Sequence, residues 1–187
     1  EAYGKTETVT SRGTVQAATL TGTLTIGSTS FPINSNEGNL TSYGWSWDRT
    51  TQVLTLKDYH SLTRGISLVG AKRGEDPLPL HIHVKGSNTL YPSNCSSAIN
   101  SDYGVYITGD PGSNLSIVIG DGLSYGISCG NNESVGNEIT ISKDVTVEFS
   151  IKNTSSPVTA IYTDNGDVTL LGSVTVTQWS PGIVDNK

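Results

Sequence analysis

Methionine is absent from all 187 residues, position 1 included. The chain is therefore read as starting at a processed or trimmed boundary, with any signal peptide already removed. Cysteine occurs only twice, which excludes a disulfide framework. Basic residues number 11 against 17 acidic ones, for a net charge of −6. Nucleic acid and anionic membrane both require a cationic face, so neither is an expected partner. There is no run of the roughly 18 apolar residues that a membrane-spanning helix needs. H-E-x-x-H and P-loop motifs are missing as well, so neither spacing selects a metal or a phosphate site.

In their place stand 24 Ser, 24 Thr, 21 Gly and 13 Asn, a composition of strands and turns that disfavours helix. One signature recurs, a small residue followed by Ile, at Gly65-Ile66, Ala98-Ile99, Gly126-Ile127, Ala160-Ile161 and Gly182-Ile183. The Ile-to-Ile spacings are 33, 28, 34 and 22 residues. Short alternating segments follow each signature: Leu80–Val84 after Ile66, Val105–Ile107 and Leu115–Ile119 after Ile99, Ile139–Ile141 and Val145–Phe149 after Ile127, and Val168–Leu170 and Val174–Val176 after Ile161.

Three short strands per repeat make one coil of a parallel β-helix, in which inward aliphatics stack on the coils above and below, roughly 4.8 Å away. The expected fold is a right-handed parallel β-helix of four to five coils, with an antiparallel β-sandwich as the alternative. Residues 1–18 read as a polar arm or edge strand, 19–60 as an N-terminal cap and 61–187 as coils, the whole a module of a longer protein. The cap is assigned to the strand–turn–strand Gly44–Leu56, because an open solenoid end must be covered. The charged stretch Gly70–Pro79 reads as an insertion at a corner. Coil register sets Cys95 four residues before Ile99 and Cys129 two after Ile127, at opposite ends of neighbouring rungs. That separation exceeds the roughly 4.4–6.8 Å between Cα atoms that a disulfide spans, so the thiols are expected unpaired.

The hairpin W-x-W-D-x-x-T-x-x-L-T-L at Trp45–Leu56, the motif Gly86-Ser87-Asn88-Thr89-Leu90 and the small-Ile coils resemble a family of bacterial cell-surface β-helical "carbohydrate-binding domain-containing" repeat proteins. The resemblance covers roughly residues 20–187 and is one of strand and turn pattern. It implies an extracellular glycan-binding role and, as in some members, bound calcium. It carries no catalytic set to transfer.

Trp45 and Trp47, two apart on a strand, share one face and offer a stacking platform for sugar rings, or else cover the open end of the core. Tyr103, Tyr106 and Tyr125 lie near corners of consecutive coils and are candidates for an external aromatic strip. His81 and His83 flank Ile82 and read as outward strand residues. Asp164 and Asp167, in the turn Asp164-Asn165-Gly166-Asp167, are the candidate calcium ligands, although the spacing does not fit an EF-hand loop. The functional expectation is a monomeric, extracellular, non-catalytic module that binds polysaccharide or host glycan along an elongated face. An adhesin-type structural or protein-interaction module is the second reading, and a β-helical lyase or hydrolase the third.

Overall fold

The computed structural model describes residues 18–35, 43–130, 137–152 and 156–178. The Gly182-Ile183 signature and most of the N-terminal arm lie outside these residues.

Among the described residues, eighteen strands form three sheets. The first sheet contains β1 (Leu20–Ile26), β2 (Thr29–Pro32), β6 (Ile66–Arg73), β10 (Ser97–Ser101), β13 (Tyr125–Cys129) and β16 (Thr159–Thr163), with β7 (Asp76–Pro77) on the side of β6. The second runs through β3 (Trp45–Asp48), β4 (Val53–Lys57), β8 (Leu80–Lys85), β11 (Val105–Gly109), β14 (Ile139–Ile141) and β17 (Val168–Leu170). The third runs through β5 (His60–Ser61), β9 (Ser87–Leu90), β12 (Ser113–Ile119), β15 (Val145–Ile151) and β18 (Ser173–Gln178).

From β6 onward the chain visits the three sheets in turn, and every ladder between coils is parallel. The fold is a parallel β-helix of about four turns, not the antiparallel sandwich. Ile66, Ile99, Ile127 and Ile161 are register partners across consecutive rungs, so the small-Ile signature is an internal ladder. Leu80, Val105, Ile139 and Val168 form a second ladder. Inward positions from Leu24 to Ile151 make one continuous apolar core, each side chain packed on the coils above and below.

The corners are held by polar side chains. Asn88 is fully buried, and its Oδ1 accepts the Tyr59 backbone N–H at 2.9 Å. Its Nδ2 donates to the carbonyls of Lys85 (3.0 Å), Gly86 (3.3 Å) and Asn114 (3.3 Å). One amide thereby bonds backbone groups of three successive coils and satisfies the buried Tyr59 N–H.

The cap has two parts. The hairpin β1–β2 lies antiparallel on β6, and β3 lies antiparallel on β4. Asp48 Oδ1 accepts the Thr50 and Thr51 amides (2.8 and 3.3 Å), which closes the β3–β4 turn. Those same bonds, led by the Thr50 amide, hold its carboxyl below the ordinary value. β4 and β5 already stack in parallel on β8 and β9, so coil stacking begins at Val53, inside the expected cap. The stretch read as a corner insertion lengthens β6, giving Leu20 and Thr21 of β1 their partners Arg73 and Lys72 before folding back as β7. Cys95 and Cys129 are both free. Register places Cys129 beside Ser101, six residues along the chain from Cys95.

Candidate functional site

The aromatic residues singled out in the sequence go to different places. Trp45 and Trp47 are 4% and 5% exposed and belong to the core. Trp45 stacks on Phe31 with centroids 5.8 Å apart, and the Trp47 indole N–H donates to the Ile33 carbonyl at 3.0 Å. They cover the N-terminal end of the solenoid and do not form an open stacking platform, because β1–β2 folds over the face that they share. Tyr103 is 2% exposed, so it too offers no ring face to a ligand. Tyr106 and Tyr125 stay partly accessible, but on different sheets, so the three tyrosines form no common strip.

Tyr106 sits on the outer face of the second sheet. Its ring meets the His81 imidazole edge-on at 4.9 Å, and its hydroxyl donates to Glu138 Oε2 at 3.0 Å. Burial, followed by the Glu138 carboxylate, raises the Tyr106 hydroxyl above the usual phenol value. Desolvation lowers His81 below the ordinary imidazole value. One position along the same face, His83 contacts Thr108 Oγ1 through Nδ1 and Asp110 Oδ1 through Nε2, both at 3.0 Å. The two histidines do point outward, as their flanking of buried Ile82 implied. Tyr125, at the start of β13, stacks on Tyr162 of the next coil at 4.8 Å.

At the proposed calcium turn, Asp164 Oδ1 accepts the Asn165 side-chain amide at 3.2 Å. The backbone carbonyls of Asp164 and Asp167 accept Asn137 Nδ2 and the Ile139 amide (2.5 and 2.9 Å), which ties the turn to the previous coil. Among the described residues no three His, Cys, Asp or Glu side chains converge to hold a metal. Asp164 and Asp167 form part of a corner, and no third carboxylate joins them.

Two concavities were not evident from sequence patterns. The larger, about 650 Å³, runs along the corner that follows the third sheet and is lined by Tyr91, Gly120, Asp121, Ser150, Lys152 and Thr177, with Ile151 at its base. These residues come from four successive coils, so the groove runs parallel to the solenoid axis for about three rung spacings, roughly 14 Å. Tyr91 is 38% exposed, and the Lys152 ammonium lies 4.3 Å from its ring centroid. The Tyr91 ring lies beside Gly120, where a Cβ would make an ordinary contact with Tyr91 Cε2 at 3.5 Å.

The second concavity, about 440 Å³, opens at the N-terminal cap. Its walls are the Ile26–Thr29 turn, the aromatic residues Tyr43, Trp45 and Tyr59, and the segment His60–Thr63. Tyr91 and Lys152 could have been flagged only as polar residues just beyond an alternating strand, a signal that most corners share.

Compared with protein-family models, curated proteins and solved structures, the chain matches none of them.

Proposed function

We propose that this protein is an extracellular, non-catalytic module that binds polysaccharide or glycan chains along its axial groove. The observation that carries this reading is the half-exposed Tyr91 ring in a concavity that follows the stacking of four coils. A concavity of this volume is within the range of small-ligand sites, whereas a flat solenoid face is not. The apolar C–H face of a pyranose packs on an aromatic ring. Lys152 and Asp121 supply a donor and an acceptor for sugar hydroxyls, and the hydroxyls of Ser150 and Thr177 extend that function to the later coils. The rung spacing is close to the advance of one unit in an extended polysaccharide, so one groove repeat can serve one sugar.

The test is binding to a panel of plant, microbial and host polysaccharides, with the Tyr91→Ala and Lys152→Ala variants alongside. Retention of at least one polysaccharide is expected, with a tenfold loss in Tyr91→Ala, equivalent to about 1.4 kcal/mol. A folded sample that retains nothing on the panel overturns the proposal and favours an adhesin-type stalk. So does retention that neither substitution alters.

A further inference from the structure

The groove and the cap concavity lie on adjacent rungs, with no residue lining both. The Tyr91 amide donates to the Ser61 carbonyl at 2.8 Å, and Leu90 is the register partner of Ser61. Leu62 therefore lies one rung before Tyr91 in the same row, and Leu62, Ser61 and His60 are walls of the cap concavity. On its N-terminal side the cavity is bounded by the β1–β2 turn, which is fastened to the corner by the Gly27 amide on the Gly65 carbonyl at 3.1 Å. Gly27, at φ +57°, has its Cβ direction facing Tyr59, where an added methyl would sit 3.2 Å from the hydroxyl oxygen. The axial row thus runs from an open groove into a pocket walled by the cap.

The lining of the pocket differs from that of the groove. Tyr43 brings an exposed aromatic ring, the buried Trp45 and Tyr59 lie beneath the concavity, and Ser28, Thr29 and Thr63 bring donors and acceptors. Tyr43 and Leu62 at the pocket are 68% and 70% exposed, among the most exposed large apolar side chains of the described residues. Apolar side chains exposed together beside a concavity mark a binding surface. Among the described residues of the lining, His60 is the only titratable side chain other than the tyrosines. An exposed aromatic ring beside neutral hydroxyls suits an uncharged sugar ring, and the concavity is large enough to take one such unit.

We infer that the two concavities are one site and that the module grips a glycan by its end, with a neutral terminal hexopyranose in the cap pocket and the following units along the groove. This rests on the groove reading above. It adds that internal stretches of a long polymer are poor ligands, because the cap blocks the path beyond Leu62.

The test uses β-1,4-glucan, β-1,4-xylan and α-1,4-glucan, each intact and partially hydrolysed, so that chain ends rise at constant mass. Trp45 gives a local readout through its indole N–H resonance, assigned with Trp45→Phe. Capacity per mass is expected to rise in proportion to chain ends for at least one polymer. Its oligosaccharides should shift the Trp45 resonance saturably, and Tyr43→Ser or Leu62→Ser should weaken binding at least fivefold. Both positions are exposed, so these substitutions leave the core intact. Binding that depends on Tyr91 but is indifferent to chain ends, to Tyr43→Ser and to Leu62→Ser overturns the end-on inference and leaves the groove reading standing. Absence of any binding removes both. Saturation of the Trp45 shift by N-acetyltryptophanamide, with no response to sugars, overturns the sugar assignment of the pocket.

Discussion

Gly65 lies so close to Ala98 in the next coil that a Cβ on Gly65 would stand 2.2 Å from the Ala98 carbonyl oxygen. Gly126 stands in the same relation to Ala160, at 2.6 Å from that carbonyl, with the Phe149 ring equally near. The small residue before each ladder Ile is thus a steric requirement of coil stacking. Gly65→Ala and Gly126→Ala are expected to destabilise the fold by about 1–3 kcal/mol each through overpacking. Gly120→Ala, whose Cβ would meet nothing closer than 3.5 Å, is expected to change stability far less. Urea unfolding followed by circular dichroism checks the contrast. Equal stability of the three variants would refute the stacking account.

Asn88→Ala should cost about 1–3 kcal/mol, because the Tyr59 N–H then loses its side-chain acceptor in a buried corner. Asn88→Asp should not rescue it. A carboxylate keeps the acceptor for Tyr59 but loses the donor to Lys85, Gly86 and Asn114, and sets a charge in a buried corner. Unfolding midpoints of the two variants, taken at one pH near neutrality, decide the matter.

Trp47→Ala is expected to lose about 3–5 kcal/mol of stability, the usual range for emptying a large aromatic site in a core. Trp47→Phe should lose much less, about 1 kcal/mol, since it retains most of the ring and gives up the bond to the Ile33 carbonyl. Polysaccharide retention by the folded Trp47→Phe protein should equal that of the parent. A selective loss of retention with no change in stability would return Trp47 to the binding surface.

His81 is expected to titrate below the ordinary imidazole value of 6.5, because packing on Tyr106 removes water from its charged form. As pH falls through 6.5 the unfolded chain takes up this proton first. This histidine therefore contributes stability that is fully present above 6.5 and is lost as the solution becomes more acidic. Imidazole resonances followed by NMR between neutral and acidic pH give the value directly. Tyr106→Ala should move the His81 midpoint back towards 6.5, and an unmoved midpoint would reject Tyr106 as the desolvating neighbour.

The β-helix was legible in the sequence because its determinants are local and repeat. Alternation gave the strands, Gly, Asn and Asp gave the corners, and the small-Ile pair gave the register, down to the pairing of Ile99 with Ile66 and Ile127. The division into cap and coils was less legible, because whether β4 is the end of a hairpin or the start of a coil depends on the partner beyond it. The hairpin β3–β4 is the same local structure in either case.

The candidate site was the least legible. Period-2 patterning states that Trp45 and Trp47 share a face, but not whether another element covers it, and the β1–β2 hairpin does so from some twenty residues upstream. Tyr91, Asp121 and Lys152 each follow a different strand, 30 and 31 residues apart, but they share no residue type that would align them in the sequence; parallel stacking brings the strand ends to one corner. Sequence alone determined the repeating backbone path, since each coil repeats the same local instructions. Tertiary structure alone decided which aromatics are buried and which polar groups meet, since both follow from residues that become neighbours only when one coil is laid upon the next.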